Sequence, residues 1–167
     1  MSSTQENLQE AFAGESQASR RYLFFAEKAE SEGHPQIARL FRAAAEAETV
    51  HARNHLKAMG GIGSTKDNLK AAISGENYEF TKMYPGFIEQ AKSENNKKAE
   101  ITFDYANKVE KIHHQLYQKA LEALEAGKEL KAEPYFICPV CGYTVAGEAP
   151  ERCPICGAPR SKFKRVE

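Results

Sequence analysis

The sequence carries no net charge: 23 Lys and Arg balance 23 Asp and Glu over 167 residues. That balance removes the bulk electrostatic case for nucleic acid or an anionic membrane as partner. No apolar run approaches the roughly 20 residues of a membrane span. The opening MSSTQENLQE is not a secretory signal, so a cytoplasmic chain is expected. In such a reducing compartment the four Cys point to metal binding rather than to disulfides. Asp is almost missing, at 2 against 21 Glu. This bias suits helices, because Glu loses little rotamer freedom there while Asp competes for the backbone. Gly and Pro are scarce up to about residue 126, where Ala, Glu, Lys and Leu dominate.

What is present reads as four helices. The first is expected from Thr4 to Ser31, with Leu8, Phe12, Ser19, Tyr22, Ala26 and Ala29 on one stripe and EGHP ending it. The second starts at Pro35, a favoured first-turn residue, and passes Ile37, Phe41, Ala44, Glu48, His51 and His55 before GGIG. Ser64 or Thr65 caps the third, which carries Leu69, Ile73, Glu76, Phe80, Met83 and Phe87 towards SENN, with a kink or break expected at Pro85. The fourth uses Ala99, Phe103, Ala106, Glu110, His113, Tyr117, Ala120 and Leu124, and stops at Gly127. Beyond KELKAEP, Pro, Gly and Cys cluster and the helical period ends. A boundary therefore falls near residue 130, giving expected domains 1–130 and 131–167.

Polar residues interrupt these stripes at matching heights. Glu15 lies on the first, Glu48 and His51 on the second, Glu76 and Glu79 on the third, and Glu110 and His113 on the fourth. Residues three apart share a helical face, so each Glu-x-x-His aims a carboxylate and an imidazole the same way. With 21 Glu and 5 His, the string alone is weak. Its position is the stronger signal, because several inward carboxylates at one level need cations to offset their repulsion and desolvation. One Glu from each of two helices plus Glu-x-x-His from each of the other two is the set that builds a di-iron or di-manganese carboxylate site. His34, His55 and His114 fall outside it and are expected at the surface or behind the ligands.

The second cluster repeats C-P-x-C-G, at Cys138/Cys141 and Cys153/Cys156, with eleven residues between the pairs. Each short pair can wrap one metal, and Gly142 and Gly157 permit the positive φ that turns amides towards the sulfurs. Zinc and a single iron both suit four such thiolates. Phe136, Tyr143 and Phe163 surround the cluster, either as a shield for an electron-transfer iron or as the small core of the module.

Glu15, Glu48-x-x-His51, Glu76-x-x-Glu79 and Glu110-x-x-His113, followed by the two Cys knuckles, resemble the rubrerythrin family over essentially the whole chain. The resemblance implies a mainly α protein, with a ferritin-like four-helix bundle followed by a rubredoxin-like module. It implies that Glu48 and Glu110 bridge two irons. Glu15 would hold the first, with Glu79 and His51 as its alternative ligands, and Glu76 and His113 would hold the second. Tyr22 and Tyr84 match tyrosines that hydrogen-bond the ligating carboxylates. Cys138, Cys141, Cys153 and Cys156 would hold a single iron, with zinc as the substitute. The implied activity is reduction of hydrogen peroxide to water, with electrons relayed through the thiolate iron from an external NAD(P)H-dependent reductase or rubredoxin. No nucleotide-binding Gly motif is present, so that reductase is a separate protein. A ferroxidase or iron-handling protein, and a structural zinc-ribbon protein, are the competing functions.

The ferritin-like order also raises a problem of reach. It sets the second and third helices parallel, which needs a connection back along the bundle. A helix from Pro35 to Ala58 is about 36 Å long, and the six residues Met59 to Ser64 span at most ~20 Å. The chain is expected either to take a plain up-down-up-down order or to form a homodimer that exchanges helix pairs, and the short hinge favours exchange.

Overall fold

The computed structural model describes residues 2–166. It divides into two compact units, one ending at Gly63 and one starting at Ser64.

The first unit is a hairpin of α1 (Thr4–Ser31) and α2 (Pro35–Ala58). Ser3 opens α1 with a full capping box, its hydroxyl accepting from the Glu6 amide while the Glu6 carboxylate accepts from the Ser3 amide. The turn closes with Gly33 at φ +81°, and the Gly33 and His34 amides donate to the carbonyls of Glu30 and Ala29. That is a Schellman end, which requires the left-handed residue that Gly supplies cheaply. Pro35 then starts α2, as its sequence position predicts. The seam is made of small residues: Ala26, Ala29 and Ala38 form a buried cluster with Phe41 packed on it. Tyr22, Phe25 and Phe41 stack next to it, and Arg42 pairs with Glu30. The buried line of α2 is Ala38, Ala45 and Ala52. Ile37, expected on the inward stripe, is 49% exposed. Two helices alone bury a narrow seam, and Ile37 lies just off it.

The second unit contains α3 (Thr65–Tyr78), a π-turn (Glu79–Met83), α4 (Tyr84–Ser93) and α5 (Lys97–Glu125). Ser64, not Thr65, caps α3 through the Asp67 amide. The third expected helix is thus split, and the break precedes Pro85 rather than sitting on it. The π-turn absorbs one extra residue, and Pro85, which has no amide hydrogen, occupies the first turn of α4 where none is needed. The extra residue moves the inward line from Leu69, Ile73, Glu76 and Phe80 on to Tyr84, Ile88 and Ala91. Phe87, expected inside, is 45% exposed although its ring still meets Phe103. Asn95 adopts φ 57° in the turn before α5, the one non-Gly residue with positive φ among those described.

After α5, β1 (Tyr135–Ile137), β2 (Thr144–Ala146) and β3 (Lys164–Val166) form an antiparallel sheet in the order β2-β1-β3. Cys138, Cys141 and Cys153 are buried together, with Tyr143, Ile155, Phe163 and, from α5, Tyr105 packed around them. No helix among the described residues is long and apolar enough to cross a membrane.

Candidate metal centres

Each unit gathers one carboxylate and imidazole triad. In the first, α1 supplies Glu15 and α2 supplies Glu48 and His51, with one ligand atom from each within 4.8 Å of the others. His51 Nδ1 lies 2.7 Å from Glu48 Oε2 and 3.9 Å from Glu15 Oε1. In the second, α3 supplies Glu76 and α5 supplies Glu110 and His113, again within 4.8 Å. His113 Nδ1 lies 2.7 Å from Glu110 Oε2 and 3.8 Å from Glu76 Oε1. The two triads share one plan, because each uses the i, i+3 pair of one helix and a single Glu from the neighbouring helix.

Glu79 stands at the first position of the π-turn, a local irregularity that recurs at functional sites. It is close enough to Glu110 and His113 for their charges to act on it. Partial burial and the neighbouring Glu110 charge raise the Glu76 carboxyl to about 7, and the same two causes raise Glu79. Burial, then Glu79, Glu110 and Glu76, raise the Tyr84 phenol. The hydrogen bond to Glu110 raises His113. Together these shifts describe a pocket short of positive charge, which divalent cations would supply. Tyr22 packs its ring on Phe25 and Phe41. Among the described residues neither Tyr22 nor Tyr84 hydrogen-bonds a carboxylate through its hydroxyl. His114 meets Phe80 edge-on at 5.4 Å, His55 lies in the last turn of α2, and His34 is the N-cap of α2 with no capping hydrogen bond from its side chain.

The four Cys form a third site. The Cys138 and Cys156 sulfurs are 3.5 Å apart, and those of Cys141 and Cys153 are 3.4 Å apart. These separations are too long for a disulfide and close to the roughly 3.8 Å edge of a tetrahedron with 2.3 Å metal–sulfur bonds. Gly142 and Gly157 have φ of +85° and +75°. Backbone amides donate to the sulfurs, from Tyr143 to Cys141, from Ile155 and Cys156 to Cys153, and from Ala158 to Cys156. Burial pushes the Cys141 thiol well up, whereas at Cys153 the amide donors overcome burial and lower it. Buried thiols crowded by one another and served by N–H donors are a thiolate cage for a cation.

One contact has no signal in the sequence. His113 Nε2 lies 2.9 Å from Thr144 Oγ1, a partner 31 residues away in β2.

The rubrerythrin family model matches residues 6–121, and that of the rubrerythrin rubredoxin-like domain matches residues 136–164. Rubrerythrin-2 of Clostridium acetobutylicum is 42% identical over 96% of this chain and 95% of its own length. Rubrerythrin of Porphyromonas gingivalis is 40% identical over 99% of this chain and 91% of its own. A nigerythrin solved in its fully reduced, all-ferrous state superposes with a TM-score of 0.59 at 36% identity, covering 99% of this chain and 88% of that one. The chain belongs to the rubrerythrin family, with that family's di-iron carboxylate site and four-cysteine metal site.

Proposed function

We propose that the protein is a peroxidase that reduces hydrogen peroxide to two waters, taking up two electrons and two protons. The rubredoxin-like iron would pass those electrons singly from an external NAD(P)H-dependent reductase or a rubredoxin. The observation that supports this reading is that Tyr105 of α5 packs on the four-cysteine cage while Glu110 and His113 of the same helix belong to a carboxylate triad, so one helix touches both a candidate one-electron carrier and a candidate peroxide-reducing centre. When bound, two adjacent ferrous ions supply two electrons to the O–O bond together and avoid one-electron release of hydroxyl radical.

In this reading Glu15, Glu48, His51, Glu76, Glu79, Glu110 and His113 would together hold the two irons, with Glu48 and Glu110 shared between the ions. Three ligands per triad are too few for two ions, so neither triad suffices alone. Tyr84, whose phenol is raised by burial and by the charges of Glu79, Glu110 and Glu76, would keep its proton beside those carboxylates. His51, 53% exposed, can move, and exchanging it with Glu79 would keep the net charge of the centre steady on reduction. The module from residue 131 onward is the electron carrier. The exchange of helix pairs within a homodimer rests on the 24 residues of α2 against its short connector, so each centre would draw one triad from each chain. The neutral charge balance and the thiolate cage fit a soluble enzyme of a reducing cytoplasm concerned with oxidative stress.

The test is the full chain, loaded with iron and reduced with dithionite. Reoxidation by peroxide faster than by air supports the peroxidase, whereas faster reaction with air turns the reading to a ferroxidase. A colourless protein holding only zinc would make it structural. Cys138→Ser should leave peroxide oxidation of the pre-reduced carboxylate site intact and abolish turnover with a reductase. Turnover that survives the change would remove the relay.

A further inference from the structure

The geometry points to Thr144 as a positioning residue: its hydroxyl holds the His113 imidazole at Nε2, so that Nδ1 faces Glu110, and joins that ligand to the four-cysteine module of the same chain. The assignment rests on the peroxidase reading only for its effect on electron flow, since the hydrogen bonds stand alone.

Thr144 Oγ1 makes two contacts, 3.0 Å to the Gly142 carbonyl and 2.9 Å to His113 Nε2. A hydroxyl has one proton, and a carbonyl only accepts. Thr144 therefore donates to Gly142 and accepts from His113, so the imidazole N–H is at Nε2. Nδ1 is the nitrogen turned to Glu110 Oε2 at 2.7 Å, and a cation must sit between their two lone pairs, a proton in the metal-free chain and a metal ion in the loaded one. Thr144 thus presets the ring for a metal, in the manner by which outer partners fix the tautomer of ligating histidines.

The surroundings leave Nε2 little alternative. A cavity of about 420 Å³ adjoins it, lined by Leu116, Ala120, Leu130, Ile137 and Val166 among others. A water replacing the hydroxyl needs two to four polar partners, and besides His113 and Thr144 the polar side chains of this lining are those of Tyr117 and Tyr135. Thr144 is itself held in place, paired with Ile137 in the sheet. Gly142 seats the module: a Cβ there would lie 3.7 Å from Val109, which is buried on α5. Tyr105, Val109 and His113 recur every four residues along α5, so one helical face carries the cage, the seat and the ligand. From Cys141 the link runs through the peptide to Gly142, through its carbonyl to Thr144, and on to His113. His51, the counterpart in the first unit, has no partner at Nε2 among the described residues.

Thr144→Val keeps the β-branched shape and removes the hydroxyl, and Thr144→Ser restores it. In the full chain without metal at about pH 9, ¹⁵N NMR of the histidines should show His113 protonated at Nε2 in the parent and in Thr144→Ser, and a mixture of tautomers in Thr144→Val. In iron-loaded, reduced protein, reoxidation of the thiolate iron by peroxide should slow about tenfold in Thr144→Val and recover in Thr144→Ser. An unchanged tautomer in Thr144→Val overturns the positioning role. A changed tautomer with an unchanged rate overturns the link between the sites. If peroxide fails to reoxidise even the parent, the peroxidase reading falls, and the NMR result still decides the role of Thr144.

Discussion

Glu76 carries the clearest consequence of charge crowding. Its carboxyl stands at about 7 against an ordinary 4.5, because burial and Glu110 disfavour the charged form. The folded chain therefore binds more protons than the unfolded chain between these values, and stability falls as pH rises through that window. His113, raised by its hydrogen bond to Glu110, acts in the same direction. In metal-free protein, urea denaturation should show lower stability at pH 8 than at pH 5. Glu76→Gln should flatten that slope, and a divalent metal should reverse it while releasing protons at neutral pH. An equal slope in Glu76→Gln would show that the crowding does not act on this residue.

Among the elements, the alanine seam between α1 and α2 sets a limit on size. Ala38 is fully buried in it, and Ala38→Leu should cost about 1–3 kcal/mol by overpacking, read from the denaturation midpoint. Asn95 closes α4 at φ 57°. Asn95→Ala should cost about 1 kcal/mol, whereas Asn95→Gly should be neutral or stabilising, because only the alanine Cβ meets the left-handed penalty. Much of this was legible in the sequence. The bounds of α1 and α2 follow from SSTQE, EGHP and GGIG, and the triads follow from Glu and His three apart on otherwise apolar faces. The π-turn was not legible, because an extra residue in a helix leaves no composition mark and Pro85 drew attention to the wrong side of the break. Thr144 was not legible either, since pairing across 31 residues depends on how the knuckle seats on α5, and a periodicity within one helix does not reach that far.

For the whole molecule, the governing quantity is the reach of the connector after α2. Inserting about twelve Gly and Ser residues between Gly60 and Gly63 would extend it by up to ~40 Å. If helix pairs are exchanged between two copies, that insertion should shift the protein from dimer to monomer in light scattering while each chain keeps its two irons. A parent protein that is already a compact monomer with two irons would end the exchange. Exposed Phe24 and Leu40 on the first unit, at 63% and 68%, should then become protected only in the species that holds metal, as hydrogen exchange along α1 and α2 would show.

A centre assembled from both triads would also order events at the ribosome. His51 is translated 62 residues ahead of His113, a lag on the order of several seconds at ordinary elongation rates. Through that interval the nascent hairpin offers the Glu15, Glu48 and His51 triad without its counterpart, so if the proposed centre needs both triads, iron capture would follow synthesis of α5.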